Sequence, residues 1–325
     1  MDALSITYIT LETIIGVLST VGNAMVLIAI NRSHALQTIT NCFIASLALA
    51  DMLVGIIVAP LAALSFVGLP HNFLGCVFIN SVVILFTQVS IFSLLAVAVE
   101  RFLAIVIPFF YQKHMTSHRA ILLLVVIWIA GIIVGLVPMF GWNLGPPEDM
   151  VCAFTRVIDM SYMVYFNFLG FVLVPLVIMF CIYLYIYAIV RQQMIKIAAL
   201  EIAVDGRKKK RKFMKEIKAA KSLAIVLGLF TICWLPIHLA NTVNHLCGSG
   251  CGVPYPFIVA AILISHANSV FNPFLYAYGN TRFMSEFKKM LCLFKESDSF
   301  TTEDRSVSNI VNTTRSDENP QQERF

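Results

Sequence analysis

The stretch Ile262–Tyr278, "ILISHANSVFNPFLYAY", decides how this chain is read. It lies in an apolar run long enough to cross a bilayer, yet it carries Ser265, His266, Asn268, Ser269, Asn272, Pro273 and Tyr276. Polar groups facing hydrocarbon are costly, and a proline removes a backbone donor. At about 100° per residue, Ser265, Asn268, Ser269, Asn272 and Tyr276 share one side of a helix. They can face a common interior while the other side meets lipid. The carbonyl freed by Pro273 can be served by a nearby polar side chain or water. Hydrogen bonding between helices accounts for any one of these residues. The whole set on one face points to an enclosed polar cavity.

The rest of the chain supplies the walls. Of its 325 residues 59% are hydrophobic and 13% charged, with a mean hydropathy of +0.83. A soluble domain of this size is about one quarter charged. Seven apolar runs reach the length of about 20 residues that a hydrocarbon core requires. They fall at Ile6–Asn31, Ile39–Phe66, Phe73–Ile107, Ala120–Phe140, Met160–Val190, Ala219–Leu246 and Pro254–Tyr278. No repeat period or large soluble insert interrupts them. The expected fold class is an all-α integral membrane bundle of seven transmembrane helices.

Basic residues set the orientation. Arg32, Arg101, Lys113, Arg119 and the groups after spans five and seven all lie on one side, and only Arg156 lies in the other set of loops. Positive charge near span ends is retained on the cytoplasmic side. The N-terminus is expected outside and the C-terminus inside, in the plasma membrane, and no cleavable signal peptide is evident. The run "RKKKRK" at 207–212 reads as a cytoplasmic loop facing anionic lipid or an acidic partner; a nucleic-acid reading is far weaker.

Cys76, Cys152, Cys247 and Cys251 fall at outer ends or loops, where disulfides persist, and four cysteines allow three pairings. The short "GSG" between Cys247 and Cys251 can close a tight loop, which leaves Cys76 to join Cys152. Cys42, Cys181 and Cys233 sit in or near spans and read as small apolar residues.

Other spans contribute polar groups at similar depth. Asn23 lies in the first span, Asp51 in the second and Ser90 in the third. A carboxylate at the bilayer centre costs about 2.5–3.5 kcal/mol on insertion scales, so it must face protein, water or an ion. Asp51, Ser90, Asn268 and Asn272 offer oxygens for a small hard cation, and one carboxylate suits sodium better than calcium. A protonated Asp51 in a hydrogen-bond network is the equal alternative. Near the inner end of span three, Glu100 precedes Arg101, and Glu216 lies at the inner end of span six. This arrangement can hold the inner face closed, although an Arg snorkelling to headgroups is equally ordinary. Pro236 is expected to kink span six just after the bulky Trp234.

These motifs coincide with a known family. Asn23, "LALAD" with Asp51, Glu100-Arg101-Phe102, "CWLP" and "NPFLY", together with Trp128, resemble in order and position the signatures of rhodopsin-like G-protein-coupled receptors. Within these, "PMFGWN", "SYMVYFNF", "AAKSLA", "CWLPIHLAN" and "ILISHANSVFNP" resemble an adenosine receptor, and "SIFSLLAVAVERFLAI" is nearer its stimulatory branch. The resemblance covers about residues 6–294.

It implies a receptor, not an enzyme, for extracellular adenosine, coupled to a heterotrimeric G protein of the stimulatory type and raising cAMP. Asn241 would pair with the adenine amine and ring nitrogen, because an amide offers donor and acceptor together. Phe154 would stack on the purine. Ser265 and His266 would take the ribose hydroxyls with Thr87, and Glu12 would hold His266. Ile84, Leu85, Met163, Trp234, Ile237, His238 and Ile262 would form apolar walls, with Gln88 and Asn167 nearby. Glu100, Arg101, Glu216, Trp234, Pro236, Pro273 and Tyr276 would form the conformational switch. Sodium would be an allosteric ion at the Asp51 site, and no other cofactor or metal is expected.

Departures from the family pattern are visible. Thr155 stands where an acidic residue follows the stacking Phe, Phe102 replaces a Tyr, and the second outer loop is short with one cysteine. An amphipathic helix at 280–294 is expected on the inner leaflet within a receptor domain of 1–294, with Cys292 a candidate for palmitoylation. A disordered cytoplasmic tail at 295–325 is expected to carry phosphorylation by a receptor kinase and to bind arrestin. The alternatives are a receptor for another nucleoside or purine, including one coupled to an inhibitory G protein, and more remotely a transporter. A transporter would show inverted repeats, and none is seen.

Overall fold

The computed structural model describes residues 3–199, 206–247 and 252–292; the side chains of 193–199 and 206–223 lie outside that description. Seven helices are long and apolar enough to cross a membrane. They are α1 (Ala3–Arg32), α2 (Ile39–Phe66), α3 (Phe73–Val106), α4 (Ser117–Phe140), α5 (Tyr162–Gln192), α6 (Gly206–Cys247) and α7 (Tyr255–Gly279). The ends are called outer and inner as the basic residues assign them. α6 begins thirteen residues before the expected apolar run, because a Lys- and Arg-rich segment forms helix readily without being hydrophobic.

Helix starts carry their own signals. Thr38, Asn72 and Thr116 accept from the backbone N–H groups of Asn41, Gly75 and Arg119, capping α2, α3 and α4. α3 is the central post, with buried residues from Cys76 at its outer end to Arg101 at its inner end. α1 and α4 are peripheral: Ile14, Val17, Leu18, Val21, Leu122, Val126 and Ile133 stand exposed, as lipid-facing positions must. Gly131 and Gly135 let α4 press against α3, since a Cβ at either would collide with Val89 or the backbone of Leu85. Trp128 donates to Ser46 Oγ at 3.0 Å, and Ser46 lies 3.3 Å from Ser93 Oγ, tying α4, α2 and α3 together.

The prolines are accommodated inside unbroken helices. Pro175 has no N–H to bond the Phe171 carbonyl four residues back, and α5 is π-helical over Tyr162–Leu173 just before it. The Gln88 amide of α3 donates to that Phe171 carbonyl at 2.7 Å. Pro273 likewise cannot serve the carbonyl of Ser269. The Asn23 amide of α1 donates to it at 2.9 Å. In both cases a polar side chain from another span takes the place of the missing backbone donor. α6 also runs on through Pro236.

Two further pieces frame the bundle. A disulfide joins Cys76 to Cys152, with Cα atoms 5.5 Å apart. Cys247 is also disulfide-bonded; Cys251, its expected partner, lies outside the described residues. After α7 a helix at 281–292 buries Phe283 and Met290 and packs Phe287 against the main core. Arg282 fixes its start by donating to the Ala35 carbonyl at 2.6 Å. Cys292 is exposed at its end. Residues 293–325, including the expected tail, lie outside the described residues.

Candidate functional site

Three polar constellations lie along the bundle axis. The deepest surrounds Asp51, which is fully buried. Ser90 of α3 and Ser269 of α7 donate to Asp51 Oδ1 at 3.2 and 3.0 Å, and Asn272 donates to Oδ2 at 2.6 Å. Ser19 of α1 donates to the Asp51 backbone carbonyl at 2.8 Å. Four spans thus converge on one residue. The α7 hydroxyl here is Ser269, where the sequence reading named Asn268. Both residues are buried on the polar side of α7, but they sit about 100° apart on the helix, and its rotation aims Ser269 at the carboxylate. Two hydroxyls and one amide N–H thus meet the two oxygens of a single buried carboxylate.

The outer constellation starts at α1 and α7. His266 Nδ1 meets Glu12 Oε1 at 2.6 Å, with both side chains buried. Nδ1 faces the carboxylate, so Nε2 is the ring nitrogen left for another partner. Ser265, also buried, donates to the Ile262 carbonyl of its own helix at 2.7 Å. Thr87 does the same to Val83 at 2.9 Å. Both hydroxyl oxygens keep lone pairs.

α6 contributes an inner face of Trp234, His238 and Asn241, spaced at i, i+4 and i+7. His238 stacks on Phe168 of α5 with ring centroids 4.8 Å apart and an interplanar angle of 8°. Trp234 stacks on Phe230 at 5.9 Å. Trp234 Nε1 and both ring nitrogens of His238 are buried with no hydrogen-bond partner among the described residues, as is Glu12 Oε2. Asn241 is half-buried and makes no hydrogen bond to a described residue.

Phe154 packs on a cluster that includes Cys76, Ile84, Cys152 and Met163, so the loop residue and two expected wall residues meet at the outer end of α3. Leu85 does not join them. It packs with Val54, Val82, Phe86 and Trp128 and lies against Gly135, because one residue beyond Ile84 the helix has turned toward α4. Gln88 and Asn167 are committed to each other: Asn167 donates to Gln88 Oε1 at 3.3 Å while the Gln88 amide serves Phe171. Ile237 and Ile262 are half-buried. The opposite face of α6 carries Ile232, Pro236, Leu239 and Val243, which with Phe257 line a groove of about 630 Å³ on the exposed side of the bundle. None of Trp234, His238, Asn241, Ser265 and His266 lines that groove.

The inner constellation centres on Glu100. Its Oε1 accepts from Thr40 at 2.7 Å and Tyr111 at 2.6 Å, and its Oε2 accepts from Arg101 Nε at 2.8 Å. Burial, reinforced by the bond to Glu100, pushes the Tyr111 hydroxyl pKa well above its ordinary value, so Tyr111 remains a donor. Thr40 and Tyr111 escaped the sequence reading, since neither the position four residues into the helix after Pro108 nor the start of α2 carries a recognisable motif. The Glu216 side chain lies outside the described residues. Tyr276 is buried, its ring tilted by 35° against Phe283 with centroids 6.1 Å apart.

Comparison with known proteins agrees with this architecture. The family described as 7 transmembrane receptor (rhodopsin family) matches residues 22–276. Human adenosine receptor A2a is 40% identical over 297 residues, covering 87% of this chain and 72% of the relative. The chicken A2b receptor is 39% identical over 336 residues, covering 96% and 97%. The sheep A3 receptor is 40% identical over 294 residues, covering 88% and 90%. The chain belongs to the rhodopsin-like seven-transmembrane G-protein-coupled receptors and, within them, to the adenosine receptor family.

Proposed function

We propose that this protein is a plasma-membrane receptor for extracellular adenosine that activates a heterotrimeric G protein of the stimulatory type and raises cAMP. The observation that carries the ligand reading is the Glu12–His266 pair, a buried ion-pairing arrangement at 2.6 Å beside Ser265. A carboxylate fixes the imidazole and leaves Nε2 to meet a hydroxyl-bearing ligand. Asn241 on α6 offers a donor and an acceptor to a purine edge, and Phe154 offers a ring to its face. A few polar side chains among aromatic and apolar neighbours suit a nucleoside, which is itself polar at both ends.

Agonist binding would shift the bundle only by as much as its affinity differs between two states; a complete switch needs about 5.5 kcal/mol. Asp51, held by three spans besides its own, is placed to change partners when helices move. Sodium at Asp51, Ser90, Ser269 and Asn272 would hold one arrangement. Glu100, Arg101 and Glu216 would close the inner face, and Cys292 would take a palmitoyl chain. Arrestin and a receptor kinase are the expected tail partners.

The stimulatory assignment rests on the wording of α3 and α5, since A2a, A2b and A3 relatives match at 39–40% identity alike. Cells expressing the receptor are expected to raise cAMP in response to adenosine, with inosine and guanosine much weaker. A fall in forskolin-raised cAMP would overturn the coupling. Loss of radiolabelled adenosine binding in Asn241→Ala, with surface expression retained, tests the pocket; unchanged affinity would remove it.

A further inference from the structure

The outer end of α3 holds a buried asparagine that the site described above does not use. Asn80 is 3% exposed and lies one turn beyond Cys76. Its amide donates to the Cys76 carbonyl at 2.8 Å and approaches both disulfide sulfurs, Cys76 Sγ at 3.6 Å and Cys152 Sγ at 3.8 Å. Its carbonyl accepts from Ser65 of α2 at 3.1 Å, and that serine also lies 3.8 Å from Cys152 Sγ. A buried amide is costly unless its groups are paired, and here both ends are paired. Only a residue with a donor and an acceptor on one short stem can bridge a serine and a disulfide in this way.

The same spot anchors the second outer loop by its backbone. Cys152 N–H donates to the Gly68 carbonyl at 3.0 Å. Gly68 has φ +88, and a Cβ there would press on Val151 at 3.0 Å, so glycine allows this close approach. Two residues after Cys152, Phe154 opens a single helical turn, Phe154–Val157. Val157 and Ile158 beyond it are fully buried in the cluster that holds both cysteines. Phe154 itself packs against that cluster.

We propose that Asn80 and Ser65 are positioning residues for ligand recognition: they form a buried amide–hydroxyl clamp on the disulfide that sets Phe154 over the chamber. The disulfide alone fixes how far Cys152 can stray from α3. The clamp fixes the direction in which the loop leaves it, because Ser65 on α2 and Asn80 on α3 both approach Cys152 Sγ, each at 3.8 Å. This inference rests on the reading of Phe154 as the residue that stacks on the ligand.

The test is a double-mutant cycle on the full-length receptor in membranes, read as the dissociation constant of radiolabelled adenosine. Asn80→Ala is expected to weaken binding about tenfold when Phe154 is present and less than about twofold in a Phe154→Ala background. Ser65→Ala, which removes one hydrogen bond and no volume beyond a hydroxyl, should show the same dependence at smaller amplitude. It carries the test if Asn80→Ala fails to reach the surface. Equal losses in both backgrounds would make the clamp merely structural and overturn the proposal, as would no loss from either variant. A Phe154→Ala receptor that binds adenosine normally would bring down the ligand reading itself, and this inference with it.

Discussion

The polar cluster around Asp51 and the polar chamber around His238 lie in the same bundle and are built in opposite ways. Both Asp51 oxygens are met by protein donors, drawn from α3 and α7. In the outer chamber the protein leaves groups unmet: of seven buried side-chain atoms with no partner among the described residues, four belong to Glu12, Trp234 and His238. A buried polar atom without a partner costs about 1–3 kcal/mol. Such a cost is retained where something else supplies the partner. The Asp51 cluster ties α1, α3 and α7 to α2. On the proposed function, the outer constellation is the one a ligand completes.

That contrast can be broken by mutation. The largest effect is expected from His266→Ala, which removes the group that Glu12 orients and leaves a buried carboxylate unpaired. Adenosine affinity should fall at least about 100-fold, or about 2.7 kcal/mol. Radioligand binding at matched surface expression measures this, and a loss under threefold would place the ligand elsewhere.

Asn23→Ala should act on stability instead. It strands the Ser269 carbonyl that Pro273 cannot serve, at a cost of about 1–3 kcal/mol. A fall in Tm of the purified receptor with adenosine affinity nearly intact is the expected pattern; an unchanged Tm would mean that the carbonyl finds another donor.

Asp51→Asn keeps the shape of the Asp51 cluster and removes its charge. Adenosine affinity measured without sodium should stay within about threefold, while any sodium dependence of agonist affinity disappears. Retained sodium dependence would locate the ion at another site. Outright loss of binding would erase the distinction between the two regions.

The smallest effect belongs to the outer loop. Arg156 meets Asp149 at 2.6 Å, and the guanidinium holds that exposed carboxyl below the usual carboxylate range. The pair's contribution is fully present above the ordinary carboxylate pKa and is lost as pH falls through the lowered folded-state value. Exposed pairs contribute little. Arg156→Ala should leave Tm unchanged within error at pH 7, and any difference from the wild type should vanish in acid. A difference that grew in acid would contradict the pairing.

Much of the fold was legible because the bilayer restricts what a chain can do. Seven runs of sufficient length and a one-sided distribution of Lys and Arg leave few alternatives. The sixth span agrees with the expected apolar run, while the helix runs on to Gly206, because hydropathy registers lipid exposure and the basic extension is not lipid-like. The site was partly legible. The stripe on α7 followed from helical period, but its period could not say whether Asn268 or Ser269 would face Asp51. The same one-residue uncertainty separates Ile84, which joins Phe154, from Leu85, which turns to α4.

The two prolines show where the boundary lies. Pro175 and Pro273 specify, through covalent structure alone, that the carbonyls of Phe171 and Ser269 lose their usual donor. Which groups replace it, Gln88 from α3 and Asn23 from α1, depends on helices that are 83 and 246 residues apart in sequence. The spans, their order and the polar residues that must avoid lipid follow from local chemistry and helical period, and so can be read from the residues alone. Which of these residues meet depends on helix rotation and close approach, and those are set by packing between distant segments.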